Sequence, residues 1–333
     1  MQAVILVGGE GTRLRPLTST LPKPVVALVD RPMMVYMLEW LRGHGIDDVI
    51  MSCGFKATKV REVLGDGSQL GISLRFVEEP DPRGTAGALK FAEQFLDGRF
   101  LMLNGDVLTD IDLTAQLAQH ARTGATGTLA LVPVPDPSSY GLVKLHDDGA
   151  VGEFLEKPSA DAALDTNLIS AGAYVLERSV LDLIAPDKNV SIEREVWPAL
   201  VDNGLYGFVD DDAYWIDVGT PERYLQATFD ILEGNVRTAV AQKLATSYLY
   251  VDPSAQVSGR AVPPAVVGAG ARIGDGCVVR DCIVGPGARI GDRSRVVGGA
   301  MLGENVVLGC DNVVAHGARL FPGMEVPDGG LAF

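Results

Sequence analysis

The sequence predicts an α/β domain on a mostly parallel β-sheet with helices on both faces, followed by a β-solenoid. Up to about residue 235, short apolar runs of strand length alternate with amphipathic stretches of helix length. This order is typical of a parallel sheet covered by helices. From Ala255 onward, aliphatic residues recur every six positions and are followed by small residues. A six-residue period is typical of short strands stacked in successive coils.

The first part of the chain begins with an apolar strand candidate, and helices and strands then alternate. Met33, Met37, Trp40 and Leu41 have the spacing of one helix face. The predicted strands are Gln2–Val7, Val49–Ser52, Leu74–Val77 and Arg99–Leu103, and the predicted helices are Met33–Gly43, Lys56–Leu64 and Ala86–Phe95. Such Rossmann-like sheets bind ligands at the carboxyl ends of their strands, so we expect functional residues at that edge.

The second part has its most regular repeat near the end of the chain, at Leu302, Leu308, Val314, Leu320 and Val326. The pattern resembles the left-handed β-helix of hexapeptide-repeat proteins. If each coil takes three hexads, this segment makes roughly four coils.

Composition restricts the kind of function. The 333 residues are 47% hydrophobic and carry 43 acidic against 28 basic side chains, a net charge of −15. This argues against a nucleic-acid partner, which needs a clustered basic face, but not against a small phosphorylated ligand. The opening MQAVILVGG lacks a basic segment and no apolar run has the length of a membrane span, so we expect a cytoplasmic protein without a membrane partner. The cysteines lack CxxC spacing and are expected to be small buried residues in a reducing compartment.

A glycine-rich segment, VGGEGTRLRPLTSTLPKP, directly follows the first strand. Gly8, Gly9 and Gly11 allow backbone amides to approach a ligand closely, as phosphate oxygens require. The segment is not GxGxxG, because Leu14 stands where the third glycine belongs, and no glycine-lysine-hydroxyl triplet of the Walker pattern follows.

Cations accompany these glycines. Arg13 and Arg15 lie in the segment, and Lys23 stands between Pro22 and Pro24. Proline on both sides stiffens the backbone around the lysine. Together the glycines and cations predict a phosphate-binding loop.

The opening GG-x-GTRLRPLT and the following PKP resemble the signature of the sugar-nucleotide pyrophosphorylases, nucleotidyltransferases that join a sugar 1-phosphate to a nucleoside triphosphate. Other blocks similar to this family follow in family order: GTAGA (84–88), LNGD (103–106), Tyr140–Gly141, EKP (156–158), SIEREVWPAL (191–200) and YWIDVGTPERY (214–224). The last two are most similar to mannose-1-phosphate guanylyltransferases. The change of pattern after Asn235 predicts a first domain over 1–235, a linker over 236–252 and a β-helix over 253–333. By resemblance the first domain is the catalytic one and the β-helix is left-handed.

The implied reaction is attack of the sugar phosphate on the α-phosphorus of the triphosphate. Both reactants are anionic, so catalysis depends on positioning and charge neutralisation. Mg²⁺ suits this chemistry, because it binds one or two carboxylates and fills its other sites with phosphate and water. The resemblance implies Asp106 and Asp217 as the metal ligands. It implies that Arg13 and Lys23 hold the triphosphate and stabilise pyrophosphate, which completes the expected catalytic set.

The resemblance also implies a nucleotide site. Its expected residues are Gly8, Gly9, Gly11, Thr12, Arg13, Glu79, Gly84 and Thr85. In thymidylyl relatives a glutamine lies at a position resembling Glu79. A carboxylate only accepts hydrogen bonds, and guanine offers two adjacent donors, whereas uracil and thymine offer one donor flanked by carbonyls. Glu79 therefore favours GTP, unless it is a solvated loop charge.

The expected sugar-phosphate residues are Gly141, Glu156, Lys157 and Ser170. By resemblance Lys157 contacts the phosphate, Glu156 accepts sugar hydroxyls, and Gly141 lends a backbone contact. Ser170 departs from the family pattern, because many relatives have asparagine in an Asn-Ala-Gly block where this chain has Ser-Ala-Gly.

The expected product is GDP-mannose. The runner-up is a uridylyl- or thymidylyltransferase that uses glucose 1-phosphate. Two other classes stay open: a non-catalytic regulatory subunit of the same fold, and a bifunctional enzyme with an acyltransferase solenoid whose base would be His316. A lone histidine in a solenoid is usually structural, so the solenoid is expected to mediate homo-oligomerisation.

Overall fold

The computed structural model describes residues 1–9, 11–54, 56–158, 165–244 and 247–332. Internal contacts divide the chain into two units. The first comprises Met1–Gly9 and Met37–Trp215, and the second comprises Glu10–Tyr36 and Ile216–Phe333.

The described chain up to residue 244 contains strands and α-helices. The strands are β1 (Gln2–Val7), β2 (Ala27–Leu28), β3 (Arg31–Pro32), β4 (Asp48–Cys53), β5 (Ser73–Glu78), β6 (Phe100–Asn104), β7 (Val107–Thr109), β8 (Gly127–Pro133), β9 (Gly141–Leu145), β10 (Val151–Glu156), β11 (Leu168–Leu176), β12 (Leu205–Val209) and β13 (Trp215–Asp217). The α-helices are α1 (Met33–Gly43), α2 (Ala57–Leu64), α3 (Gly84–Phe91), α4 (Leu113–Thr123), α5 (Trp197–Leu200), α6 (Pro221–Glu233) and α7 (Ala239–Leu244). Strands and helices alternate from α1 to α3 in the described chain, and the strands β8 to β11 then follow one another without an α-helix between them.

The elements predicted from hydrophobic periodicity are confirmed. Strand β1 and helix α1 have the predicted bounds, and β4, β5, β6 and α2 differ by a residue at one or both ends. Helix α3 starts two residues earlier than predicted, at Gly84, and ends at Phe91. A separate 3₁₀ turn, Glu93–Phe95, then completes the predicted stretch.

The first unit contains a nine-stranded mixed sheet. Strands β5, β4, β1 and β6 are adjacent and parallel. Beyond β6, strand β11 runs antiparallel to β6, β8 and β9. Phe100, Met102, Tyr174 and Trp197 are almost fully buried in the core of this unit. The apolar runs of the central strands are therefore explained by packing on both faces.

The parallel part of the sheet places the ends of several strands at one edge. Gly8 follows β1, Glu79 follows β5, and Asp106 lies two residues after the end of β6. Parallel strands share the edge at which their carboxyl ends lie, so the order of β5, β4, β1 and β6 brings these positions to one side of the sheet.

The second unit contains the predicted solenoid. Its strands are β14 (Leu249–Val251), β15 (Gln256–Val257), β16 (Arg260–Val267), β17 (Arg272–Ile273), β18 (Val278–Val284), β19 (Arg289–Ile290), β20 (Arg295–Val296), β21 (Ala300–Leu302), β22 (Val307–Leu308), β23 (Val313–Val314), β24 (Arg319–Leu320) and β25 (Glu325–Val326). They pair in parallel, and paired residues in successive coils are 16 to 18 positions apart, as in Gln256 with Arg272 and Arg289 with Val307. This spacing confirms a β-helix with about three hexads in each coil.

The six-residue repeat supplies the core of this β-helix. Leu302, Leu308, Val314 and Leu320 are buried, and the partly buried Val326 packs against the same core. The predicted linker contains α7 and β14, and its residues 245 and 246 lie outside the described residues. The predicted domain boundaries stay a prediction.

Two other expectations concern the environment of the chain. Among the described residues, no helix is both long and apolar enough to cross a membrane. Cys53, Cys277 and Cys282 are buried, as predicted, whereas Cys310 is partly exposed. Burial raises the pKa of the Cys53 and Cys282 thiols to about 12.

Candidate active site

The turn after β1 leaves room for a ligand. Gly9 has φ of +92°, and a Cβ atom on Gly8 or Gly9 would meet no atom of the described residues within 4 Å. The amide of Gly105 donates a hydrogen bond to Leu6 O (3.0 Å), which holds the turn containing Asp106 beside the end of β1. The first unit thus presents a glycine turn and a carboxylate-bearing turn at neighbouring strand ends.

The rest of the glycine-rich segment belongs to the second unit, where Gly11 permits a close approach. A Cβ on Gly11 would lie 3.1 Å from Thr18 Cγ2 and 3.3 Å from Lys23 Cβ, and Gly11 has φ of +62°. The Thr18 hydroxyl donates to Gly11 O (2.7 Å). Thr12 and Arg13 begin a 3₁₀ turn, and Lys23 begins another after Pro22. Both predicted phosphate-binding cations, Arg13 and Lys23, therefore lie on short hydrogen-bonded 3₁₀ turns.

Asp217 lies at the end of β13 and is held from one side. Its Oδ2 accepts a hydrogen bond from Arg223 Nη1 (2.9 Å), while its Oδ1 is buried without a hydrogen-bond partner among the described residues. A Cβ on Gly219 would lie 2.5 Å from this Oδ1 and 3.3 Å from Arg13 Nη2. Gly219 therefore has no side chain where the Asp217 carboxylate packs against its backbone, with the Arg13 guanidinium close by.

This arrangement fits a divalent cation. A buried carboxylate oxygen without a partner is costly unless a ligand binds it. The described residues contain no group of three or more His, Cys, Asp or Glu side chains able to hold a metal by themselves. A metal here would need phosphate and water as further ligands, which is how Mg²⁺ is usually bound. Asp106 belongs to the first unit and Asp217 to the second, and their joint role stays a prediction.

The predicted base-reading residue, Glu79, is half-buried after β5. Ser52 Oγ donates a hydrogen bond to Glu79 Oε1 (2.9 Å), and the Glu79 amide donates to Cys53 O (3.0 Å). Burial raises the pKa of Glu79, while the hydrogen bonds from Ser52 and from the Arg83 amide oppose that shift. A carboxylate has about four acceptor sites, so these bonds leave capacity for a base with two donors.

The glycines of GTAGA have a packing role that the sequence did not reveal. A Cβ on Gly84 would lie 2.5 Å from Val190 O, and one on Gly87 would overlap Lys188 O. The amides of Ala86 and Gly87 donate to Val190 O (3.0 and 3.3 Å). These glycines let the start of α3 pack closely against the backbone of 188–190.

Thr85 ties the same helix start to the following turn. Its Oγ1 accepts a hydrogen bond from the Ile192 amide (2.8 Å) and donates one to Glu193 Oε2 (2.8 Å). The predicted nucleotide-binding pair Gly84–Thr85 therefore already makes protein contacts, and its role toward the nucleotide stays a prediction.

Three of the predicted sugar-phosphate residues lie together. Gly141 on β9 pairs with Glu156 on β10, and a Cβ on Gly141 would lie 2.7 Å from Phe154 Cζ and 3.2 Å from Glu156 Oε2. Lys157 Nζ is 3.6 Å from Glu156 Oε1, and the lysine side chain is 64% exposed. Burial and then the charge of Glu193 raise the pKa of Glu156, and Lys157 lowers it.

Ser170 makes a contact within the protein. Its hydroxyl is 3.1 Å from the Tyr174 hydroxyl, which also hydrogen bonds to Asn104. Burial, followed by the charge of Glu193, raises the pKa of Tyr174. Gly172, with φ of +78°, approaches Asn104 so closely that a Cβ would lie 3.0 Å from Nδ2.

Several residues of this site were not assigned from the sequence. Trp215 Nε1 donates to Ala171 O (2.8 Å), and its ring stands edge-on to Tyr140 at 5.1 Å. Asn104, Tyr174, Glu193 and Arg223 likewise had no predicted role. All of these residues except Tyr174 lie in or beside the sequence blocks that resemble the family. Their contact partners lie on other elements of the fold, so the blocks alone did not reveal their roles.

Comparison with known proteins places these features in context. A family model described as nucleotidyl transferase matches residues 2–234. A mannose-1-phosphate guanylyltransferase from Mycobacterium tuberculosis is 36% identical over 356 aligned positions, covering 100% of this chain and 98% of the relative. A UTP–glucose-1-phosphate uridylyltransferase from Synechocystis is 30% identical, covering 98% of this chain and 86% of the relative. The structure of HddC from Yersinia pseudotuberculosis complexed with GMP-PN has a TM-score of 0.59 and 29% identity, covering 68% of this chain and 97% of that chain.

Proposed function

Because the chain belongs to the nucleotidyl transferase family, we propose that it is a sugar-1-phosphate nucleotidyltransferase that makes GDP-mannose and pyrophosphate from GTP and mannose 1-phosphate. The observation that carries this proposal is the match to a mannose-1-phosphate guanylyltransferase along essentially the whole length of both chains.

In the proposed reaction, an oxygen of the sugar phosphate attacks the α-phosphorus of GTP. The bond from the α-phosphorus to the oxygen that bridges the α- and β-phosphates breaks, and pyrophosphate leaves in line. No covalent bond to the protein is needed, so the side chains act by positioning and electrostatic stabilisation.

The proposed phosphate-binding groups are the amides of Gly8, Gly9 and Gly11 and the side chains of Arg13 and Lys23. The open space around Gly8 and Gly9 supports the close approach of a phosphate to the backbone. Arg13 and Lys23 lie on hydrogen-bonded 3₁₀ turns, which supports their role in binding the triphosphate. A cation held in place stabilises the charge that develops on pyrophosphate.

The proposed metal ligands are Asp106 and Asp217. When bound, Mg²⁺ would neutralise charge on the reacting phosphates. The unpartnered Oδ1 of Asp217 supports its assignment. Arg223 would keep that carboxylate in one orientation by binding the other oxygen.

Guanine is the proposed base. The acceptor-only carboxylate of Glu79, oriented by Ser52, suits a base with two adjacent donors. A structural relative in complex with GMP-PN is consistent with this choice. The similarity to a uridylyltransferase keeps UTP with glucose 1-phosphate as the second candidate.

The proposed sugar-phosphate site contains Gly141, Glu156, Lys157 and Ser170. Lys157 is exposed enough to reach a phosphate, and Glu156 lies beside it as a hydroxyl acceptor. Ser170 contributes through Tyr174, to which it is hydrogen bonded.

The proposed enzyme is cytoplasmic. It is also proposed to form a homo-oligomer through the β-helix. Phe321 and Met324, in the last coils of the β-helix, are 47% and 39% exposed. Apolar ends of solenoids generally need to be covered, and a second copy would cover these side chains.

The deciding experiment measures pyrophosphate release with GTP, UTP and dTTP, each paired with mannose 1-phosphate and glucose 1-phosphate. We expect the highest kcat/KM for GTP with mannose 1-phosphate. Preference for UTP or dTTP would favour the second candidate, and no release with any pair would favour a regulatory subunit.

A further inference from the structure

The carboxylate of Glu193 is held by hydroxyl groups from two separate parts of the chain. Its Oε2 accepts hydrogen bonds from Ser191 Oγ (2.6 Å) and from Thr85 Oγ1 (2.8 Å). Thr85 is itself held by the Ile192 amide (2.8 Å). Hydrogen bonds to a charged acceptor are stronger than those between neutral groups, so Glu193 firmly joins the start of α3 to its own turn.

The backbone around Glu193 is unusual. Ile192–Val196 forms a π-helical turn, which Ser191 caps by accepting a hydrogen bond from the Arg194 amide (3.3 Å). π-helical turns are rare and occur frequently at functional sites. The turn leads directly into α5, whose Trp197 is fully buried, so its geometry is anchored in the core of the unit.

Glu193 also acts on the predicted sugar site. Its negative charge, second to burial, raises the pKa values of Glu156 and of the buried Tyr174. Strand β10, which ends at Glu156, packs against the π-helical turn that carries Glu193, so the two carboxylates lie on elements in contact. The other charged groups acting on Glu156 are Lys157 and Arg194, which lower its pKa.

We propose that Glu193 is a positioning residue for both substrates, joining the nucleotide-binding turn Gly84–Thr85 to the sugar-binding carboxylate Glu156. This inference rests on the proposed function, which supplies the roles of Thr85 and Glu156. Through Thr85, Glu193 holds the helix start against which the nucleotide binds. Through its charge, it sets the ionisation of the acceptor that binds the sugar hydroxyls. Loss of Glu193 therefore weakens the binding of both substrates.

The first test compares variants of the full-length chain. We expect Glu193→Ala and Thr85→Val each to raise the KM for GTP and the KM for mannose 1-phosphate about tenfold, the size expected when a hydrogen bond to a charged group is lost. The double variant should be little worse than either single variant, because both changes remove one linkage. The control is Glu195→Ala, which removes an exposed carboxylate of the same turn that accepts a hydrogen bond from the Ser191 amide (3.2 Å). Both KM values should stay unchanged in this variant.

The second test separates positioning from mere structural support. Glu193→Gln keeps an acceptor oxygen for the two hydroxyls but removes the charge. The acidic limb of the pH profile of kcat/KM for the sugar phosphate should then move to lower pH, because removing a negative neighbour lowers the pKa of Glu156. An unmoved limb would overturn the proposal, as would a change in only one of the two KM values in Glu193→Ala and Thr85→Val.

Two measurements keep these outcomes distinct. The melting temperature of each variant shows whether it folds. If Glu193→Ala does not fold, the KM values of Thr85→Val and the pH profile of Glu193→Gln test the positioning role instead. The parent chain is assayed first with every nucleotide and sugar phosphate. A parent without turnover overturns the proposed function and this inference with it, whereas an active parent with unaffected variants overturns the positioning role alone.

Discussion

Arg223 Nη1 donates a hydrogen bond to Asp217 Oδ2 at 2.9 Å and leaves Asp217 Oδ1 buried without a partner among the described residues. Leaving a buried acceptor unsatisfied costs about 1–3 kcal/mol. The pair thus fixes the orientation of the carboxylate and leaves one of its oxygens, which packs against the backbone of Gly219, without a hydrogen-bond partner among the described residues.

We predict that Asp217→Asn and Asp106→Asn each lower kcat by about a hundredfold or more, the loss typical of removing one transition-state stabilising group. Both variants should keep the parent's melting temperature, since neither carboxylate is part of an apolar core. Turnover should also cease in excess chelator and return with Mg²⁺. The control is Asp212→Asn, which changes an exposed aspartate and should keep the kcat of the parent. Full activity of Asp106→Asn, of Asp217→Asn or of the enzyme in excess chelator would refute the metal assignment.

We predict that Lys23→Ala lowers kcat/KM by about 10²- to 10³-fold with little change in stability, because the lost cation faces charge that builds on the leaving pyrophosphate. Steady-state pyrophosphate release and thermal unfolding measure the two effects. Lys243→Ala removes an exposed lysine elsewhere in the second unit and should have no effect. An equal rate for both variants would mean that Lys23 is only a surface charge.

We predict that Glu79→Gln shifts nucleotide preference from GTP toward UTP or dTTP by about 1–3 kcal/mol, the contribution of hydrogen bonds to a charged group. The amide supplies the donor that uracil and thymine can accept, and it loses the charge-assisted bonds to guanine. The measurement is the ratio of kcat/KM values for the three nucleotides, in the parent and the variant. A GTP preference that survives the substitution would move base recognition to the backbone around Gly84 and Thr85.

We predict that the pH profile of kcat/KM for the sugar phosphate falls on its acidic side because Glu156 becomes protonated. The ionised carboxylate accepts hydrogen bonds from sugar hydroxyls more strongly than the protonated acid does, and burial with the charge of Glu193 raises the pKa of Glu156 above its ordinary value. Activity should therefore fall as pH decreases, and should do so at a higher pH than for an exposed glutamate. In Glu156→Gln this acidic decrease should vanish while activity at neutral pH drops; a parent profile that stays flat through the acidic range would contradict the assignment.

We predict that Phe321→Glu and Met324→Glu reduce the molar mass of the assembly without changing kcat. A buried charge at an apolar interface is costly, and every proposed catalytic residue lies before residue 235. Light scattering combined with the pyrophosphate assay tests this, with the substitution of exposed Leu183 by Glu in the first unit as control. Unchanged mass would exclude this end of the β-helix as the interface.

Local pattern was sufficient for most of the fold. Apolar spacing identified β1 and α1 with their correct bounds, and the six-residue period identified the β-helix core from Leu302 to Leu320. Both succeed because burial on one face of a helix or strand repeats with the period of that element. The motif blocks also located the residues that the structure places at the strand ends, because such blocks are short and continuous in sequence.

Tertiary structure alone decided which side chains act on one another. Thr85 and Glu193 are 108 positions apart, and no periodicity connects them. Gly84 was predicted to bind the nucleotide, and only the structure shows that its lack of a side chain is explained by the backbone of Val190 packed against it. The availability of Asp217 Oδ1 likewise depends on Arg223 binding the other oxygen. Hydrogen bonding and desolvation depend on distances between atoms that folding brings together, so the sequence could name the candidates for this site but not the partners that set their chemistry.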